Sequence, residues 1–191
     1  VIVGLVLAAG SGSRLGRPKA DVLLGGVRLL DRAVSTLRAG GCEQVLAVVR
    51  SDTAPAEDVE LVVNPDPDSG MSSSLRVGLA ALPAAADAVV ITLVDLPGIS
   101  PAEVRSMIGW YRKGTSIVAA RRAGLRSHPV LVTRRWFADL AESAHDDLGG
   151  RAFFAEHWER MEYLDCSAID DIDTPDDLVR AEQALSSAGN G

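Results

Sequence analysis

The chain has 191 residues, 47% of them hydrophobic but only 4% aromatic, and a formal net charge of −7. That length supports one full core and is short for two, so the expectation is one domain over residues 1–191 with a core of Val, Leu, Ile and Ala. The acidic balance argues against a nucleic-acid or anionic-membrane surface, no apolar run approaches the ~20 residues of a membrane span, and the distant Cys42 and Cys166 fit neither a zinc site nor a disulfide framework, which points to a reducing cytoplasm.

The chain starts at Val1 with no initiator Met, which suggests a processed or trimmed chain. Its opening apolar run has no basic flank and reads as a strand rather than a signal peptide. Short β-branched runs then alternate with helical stretches. Strands are predicted at Ile2–Leu7, Gln44–Val49, Glu60–Val63, Ala88–Leu93, Ser116–Ala120, Pro129–Val132 and Met161–Leu164. Helices are predicted at Arg28–Ala39, Ser72–Leu82, Pro101–Tyr111, Arg134–Ala141, Gly149–Glu156 and Pro175–Leu185. Leu29, Leu30, Ala33, Val34 and Leu37 recur at helical spacing. Ser100-Pro101 with Glu103 sets a cap, a first-turn proline and a first-turn acid in order, and Thr174-Pro175 repeats the device. Such alternation implies a mostly parallel sheet with helices on both faces, and Val89-Val90-Ile91 is apolar throughout, as a buried parallel strand should be. Pro65–Gly70 and Ser186–Gly191 are the flexible-looking stretches.

The first strand stops at Ala8-Ala9-Gly10, which leaves no side-chain bulk at its carboxyl end, where α/β sheets gather ligands. Gly10, Gly12 and Gly16 let backbone amides turn towards an anion, and Arg14 and Lys19 add charge. The spacing fits neither common nucleotide fingerprint. GxGxxG needs glycine where Leu15 stands, and no GxxxxGK[ST] run is present. By itself the loop is equally a tight strand-helix turn. The second marked segment is Gly70-Met71-Ser72-Ser73-Ser74-Leu75, whose serines open a helix and can simply cap it. The third is Asp95, just past a central strand; a lone acid there is commonly a cap, but Ser100 already supplies one. Asp170 to Asp173 precede the last helix, where acids favour its positive end. Asp176 and Asp177 fit that role best.

The string Leu7-Ala8-Ala9-Gly10-Ser11-Gly12-Ser13-Arg14-Leu15-Gly16 with Lys19 resembles the signature of Rossmann-like NTP transferases, closest to those acting on molybdenum cofactor. The resemblance runs from Leu7 to about Leu178. It implies a three-layer α/β/α Rossmann-like fold with a mostly parallel mixed sheet. It implies that Leu7, Ala8, Ala9, Gly10, Ser11 and Gly12 wrap a triphosphate while Arg14 and Lys19 stabilise its charge. Gly70, Ser73 and Ser74 would lie at the base. Asp95, in Asp95-Leu96-Pro97, would bind Mg²⁺, completed by Asp173 or, failing that, Asp171. Ser127-His128-Pro129-Val130 resembles Gly-His-Pro-Val of the family, and Asp147, Gly149 and Arg151 match its Asp-x-Gly-x-Arg, with Asp146 and Gly150 departing from the pattern. These imply an acceptor site at His128, Asp147, Gly149 and Arg151, where a glycine-started helix and its Arg would hold a phosphate. Arg121, Arg122 and Arg126 read as solvated charges on that rim, and Trp110, Trp136 and Trp158 as packing residues. The implied catalytic set is Arg14, Lys19 and Asp95. The implied partners are an NTP (CTP first, GTP second), a molybdopterin-type cofactor and a molybdoenzyme recipient. A sugar or polyol phosphate acceptor, a non-catalytic cofactor-delivery module and a dinucleotide-dependent oxidoreductase are the rival readings.

Overall fold

The computed structural model describes residues 1–145 and 149–188. Among these residues nine strands and six α-helices follow in order: β1 Ile2–Leu7, β2 Leu23–Leu24, β3 Val27–Arg28, α1 Leu29–Gly40, β4 Gln44–Val49, β5 Glu60–Val63, α2 Met71–Ala80, β6 Ala88–Leu93, α3 Pro101–Arg112, β7 Ile117–Arg122, β8 Leu125–Thr133, α4 Phe137–Ser143, α5 Arg151–Glu156, β9 Glu162–Asp165 and α6 Pro175–Ala188. Seven strands form one sheet in the order β5-β4-β1-β6-β8-β7-β9, and β2 and β3 make a separate hairpin. Within the large sheet β8 runs antiparallel to both its neighbours, and the other pairings are parallel.

Alternation along β1 explains the layers. Ile2 and Val6 point to one face, where α1 and α3 supply Leu30, Leu37, Val104 and Met107. Val3, Leu5 and Leu7 point to the other, against Leu75 and Leu79 of α2 and Phe153 and Phe154 of α5. Every residue of β1 is buried, as two covered faces require. Gly4 brings α1 onto the sheet, because a Cβ there would meet Leu37 at 2.8 Å. No described helix is long and apolar enough to cross a membrane.

Chain order reverses at β1. The chain moves outward to β4 and β5, then returns to pair β6 on the other side of β1. The crevice beyond the carboxyl ends of β1 and β6 is therefore the switch point where such sheets take ligands.

The starts of α3 and α6 behave as their sequences predict, whereas α2 has Gly70 at its N-cap and no side-chain cap from its serines. Ser100 and Glu103 close a full capping box on α3. Thr174 and Asp177 bond reciprocally at α6, where Asp177 also accepts from the Asp173 and Thr174 amides. Those bonds pull the Asp177 pKa down. Two expectations differ. The predicted strand Pro129–Val132 is the second half of β8, which starts at Leu125 as one arm of a hairpin with β7. Its two-residue turn, Ala123-Gly124, has φ of 48° and 79°, the primed geometry that matches strand twist. The helix expected from Gly149 starts only at Arg151 and has six residues. Trp136 is buried and edge-on to Phe153, but Trp158 is 61% exposed and packs little.

Candidate active site

The loop after β1 is anchored at both ends. The Ala8 amide donates to the Val48 carbonyl, 2.8 Å, and the Lys19 amide to the Gly10 carbonyl, 3.3 Å. Between them the amides of Ala9, Gly10 and Ser11 donate to no group among the described residues. Gly12 makes the turn. Its φ is 59°, and a Cβ there would overlap the Arg17 carbonyl oxygen. Arg14 stands exposed on the following 3-10 turn with no ion-pair partner among the described residues.

Lys19 folds back across the loop's base. Its ammonium donates to Asp95 Oδ2 at 2.5 Å and also to Asp173 Oδ1. Burial by itself would lower the Lys19 pKa, but the charges and hydrogen bonds of Asp95 and Asp173 outweigh it and raise the value. Asp95 follows β6, and its carbonyl accepts from the Ile172 amide at 2.9 Å. Ile172 is itself buried in the core. That anchor sends its two flanking acids different ways. Asp173 meets Lys19, whereas Asp171 lines a neighbouring cavity. Asp95 Oδ1 is buried and has no hydrogen-bond partner among the described residues. An orphaned carboxylate oxygen beside a second carboxylate suits a hard cation. Among the described residues no group of three or more His, Cys, Asp or Glu could hold a metal. Two carboxylates nonetheless suffice for a site completed by phosphate oxygens.

Two cavities meet here. The smaller, about 250 Å³, is lined by Ala9, Gly10, Lys19, Gly70, Ser74 and Asp95 among others. The larger, about 350 Å³, includes Asp95, Arg126, His128, Arg151, Phe154 and Asp171. Leu7, Met71, Leu93 and Asp95 belong to both, so the cavities join at the carboxyl ends of β1 and β6.

Of the residues expected at a nucleotide, Leu7, Ala9, Gly10, Lys19, Gly70 and Ser74 line the smaller cavity. Ala8 is buried in the core, and Ser11 and Arg14 are exposed on the loop. Ser73 lies outside the lining; its hydroxyl donates to Asn64 Oδ1 at 3.0 Å and to the Asp66 carbonyl at 2.9 Å. Ser74 Oγ accepts from Asn64 Nδ2 at 3.1 Å. Both hydroxyls thus hold the preceding loop, and Asn64, 2% exposed, is the hub the sequence reading passed over. Its signal was an Asn-Pro pair directly after a strand. Ser72 ties the other side, donating to the His145 carbonyl and accepting from the Gly149 amide, both at 2.9 Å.

Of the residues expected at an acceptor, His128 and Arg151 line the larger cavity. Gly149 is buried behind it on Ser72, and Asp147 lies outside the described residues. His128 Nδ1 lies 3.3 Å from the Ile91 carbonyl, and the His128–Pro129 peptide is cis. A carbonyl only accepts, so Nδ1 carries the hydrogen and Nε2 is an acceptor. Burial pushes the His128 pKa down to about 4, so the ring is neutral near pH 7. The rim arginines differ from expectation. Arg122 is 7% exposed and pairs with Glu103 at 3.0 Å, and Arg121 grips Asp165 at 2.6 and 2.8 Å. Arg126 lines the cavity and stacks over Phe154, 4.4 Å from the ring centroid.

A family model described as MobA-like NTP transferase domain matches residues 4–161. The chain belongs to that family. It is therefore a nucleotidyltransferase by class. It is 35% identical to molybdenum cofactor guanylyltransferase of Rhizobium johnstonii, across 96% of this chain and 93% of that protein. It is 32% identical to nicotine blue oxidoreductase of Paenarthrobacter nicotinovorans, across 94% of this chain and 95% of that one. Among solved structures, the manganese complex of Rv0371C from Mycobacterium tuberculosis H37Rv matches with a TM-score of 0.80 at 27% identity, covering 96% of this chain and 98% of that chain. The fold of this NTP transferase is thus shared with that solved neighbour over nearly the whole of both chains.

Proposed function

We propose that this enzyme transfers a nucleoside monophosphate from an NTP to the phosphate of a molybdopterin-type cofactor, with Mg²⁺, releasing pyrophosphate. The observation that carries the reading is the reach of Lys19 from the β1 loop to both Asp95 and Asp173, at the seam of two cavities that share Asp95.

The smaller cavity takes the nucleotide. Free amides at Ala9 and Gly10 and the cations Arg14 and Lys19 face the triphosphate in this reading, with Gly70 and Ser74 against the base and Ser73 bracing that wall. The larger cavity takes the acceptor, with His128 and Arg151 on its lining and Gly149 behind it; Asp147 is carried in this reading by the motif alone. An oxygen of the acceptor phosphate bonds to the α-phosphorus. The bond from that phosphorus to the oxygen bridging the β-phosphorus breaks, and pyrophosphate leaves with the electron pair. Phosphate oxygens are already ionised near neutral pH, so the protein's work is positioning and holding charge. Asp95 and Asp173 would hold the Mg²⁺, which when bound supplies charge neutralisation on the phosphates. Asp173 is preferred to Asp171 because it shares Lys19 with Asp95.

The guanylyltransferase name of a 35% identical relative favours GTP over CTP, the first expectation from the family resemblance. A pyrophosphate-release assay with molybdopterin, Mg²⁺ and each NTP in turn tests the proposal. Release that needs molybdopterin and one NTP is expected, the product then passing to a molybdoenzyme. Release with a sugar or polyol phosphate instead would move the acceptor, and binding without release would support a delivery module.

A second reading rests on the relative named nicotine blue oxidoreductase. Turnover of nicotine blue with a reduced nicotinamide dinucleotide would support it. Leu15, standing where the dinucleotide fingerprint needs glycine, speaks against it.

A further inference from the structure

The β7–β8 hairpin carries three arginines, and two are spent on carboxylates. Arg121 holds Asp165, and Arg122 holds Glu103. Arg126 has no carboxylate among the described residues, although it is half-buried and lines the larger cavity. Arg151 lines the same cavity and likewise lacks an ion-pair partner among the described residues.

We infer that Arg126 and Arg151 form a seat for the phosphate monoester dianion of an organic acceptor, with Phe154 as the platform that presents Arg126. The inference rests on the reading that this cavity takes the acceptor through its phosphate, and it adds Arg126 as the residue that selects for that group. Two like charges beside one cavity leave a local positive potential in a chain of net charge −7. Burial lowers the Arg126 pKa, Tyr163 partly offsets this, and the nearby Arg151 lowers it further. The guanidinium carbon of Arg126 lies over the Phe154 ring, 4.4 Å from its centroid. Its N–H groups donate to no group among the described residues, and a guanidinium fork matches the oxygens of a phosphate. His128 adds no charge, because it is neutral. Asp95 and Asp171 also line the cavity, so an anion is favoured at the arginines and not at the carboxylates. Leu75, Ile91 and Val130 make the remaining walls apolar, which suits an organic body over a bare ion. The placement follows from the strand. Arg126 and Val130 pair with Arg121 and Ala119, two residues apart on β7, so they lie on one face of the sheet, and His128 sits in the irregular step between them.

Phenyl phosphate is the probe, followed by ³¹P NMR titration of the full chain. Arg126→Gln should weaken its binding about tenfold or more, the loss expected for a charge-assisted bidentate contact. Arg126→Lys should recover only part, having the charge without the fork. Arg151→Gln should also weaken binding. Inorganic phosphate should bind less tightly than phenyl phosphate, and benzenesulfonate, a monoanion, less tightly still. Affinity for the Mg²⁺–NTP complex and the ligand-free melting temperature should stay unchanged in Arg126→Gln. Equal phenyl phosphate binding in wild type and Arg126→Gln, or none in wild type, overturns the seat. A parallel loss of NTP affinity reassigns Arg126 to the triphosphate, and a lowered melting temperature makes it structural; both overturn the seat as well. Because binding is read without turnover, Arg126-dependent binding with no pyrophosphate release would sink the proposed reaction and leave the seat standing.

Discussion

At the scale of single residues, Lys19 is the hinge of the site. In the ligand-free protein its ammonium supplies the positive charge between Asp95 and Asp173. Under the proposed function the same charge serves the triphosphate, and a divalent cation competes for the same two carboxylates. Lys19→Met should therefore do two opposite things. Turnover should fall on the order of a hundredfold or more, as for loss of a major charge stabiliser. Mn²⁺ binding to nucleotide-free protein, followed by EPR, should tighten, because no tethered cation remains to be displaced. Unchanged or weaker Mn²⁺ binding would remove these carboxylates from the metal site. His128 offers a pH test. Burial holds its pKa at about 4 in the folded chain, against about 6.5 when unfolded. Between those values the unfolded chain binds more protons, so this contribution is complete above about pH 6.5. It is lost as pH falls, levelling off below the folded pKa. The loss is on the order of 3 kcal/mol. Urea unfolding across that window should show the slope, and His128→Gln should flatten it.

At the scale of elements, α2 joins the two halves of the crevice. Ser73 and Ser74 fix the loop before it through Asn64, and Ser72 fixes the turn at Gly149 behind the larger cavity. Asn64→Ala would leave Ser73 without one of its acceptors, Ser74 without its donor, and the Asp66 amide unpaired. A loss of about 1–3 kcal/mol in unfolding free energy is expected. The KM for NTP should rise more than kcat falls, because the base wall loosens while Lys19 and Asp95 stay. Equal loss in both would place Asn64 nearer the chemistry. The helix at residues 71–80 was legible from its serine-opened start, and its hydroxyl partners were not, since Asn64 and Gly149 are distant in sequence. The start of β8 was hidden for a related reason. Arg126, Ser127 and His128 look like loop in a one-dimensional pattern, but they are polar because they line a cavity. The short α5 fell below its predicted length because Gly149 has a φ of 57° and so turns the chain instead of starting the helix.

At the scale of the molecule, a rigid sheet carries a site on its carboxyl edge. Leu131 is fully buried within β8, away from either cavity lining. Leu131→Ala should cost about 2–5 kcal/mol by leaving a cavity. Well below melting, kcat/KM should be unchanged; a tenfold fall would mean that the core sets the site's geometry directly. The sequence by itself determined the alternating α/β plan, the helix caps, the glycine loop and the run of marked segments. Those depend on local periodicity, on backbone freedom at Gly12 and on residues near one another in the chain. Only the tertiary structure decided which acid shares Lys19 with Asp95, which hydroxyls are already engaged, and which of three hairpin arginines lines a cavity. Each of those depends on partners separated by tens of residues, such as Lys19 and Asp173, and on which face of a strand a side chain occupies. Charge and spacing offer candidates for such pairs, and the order of strands across the sheet selects among them.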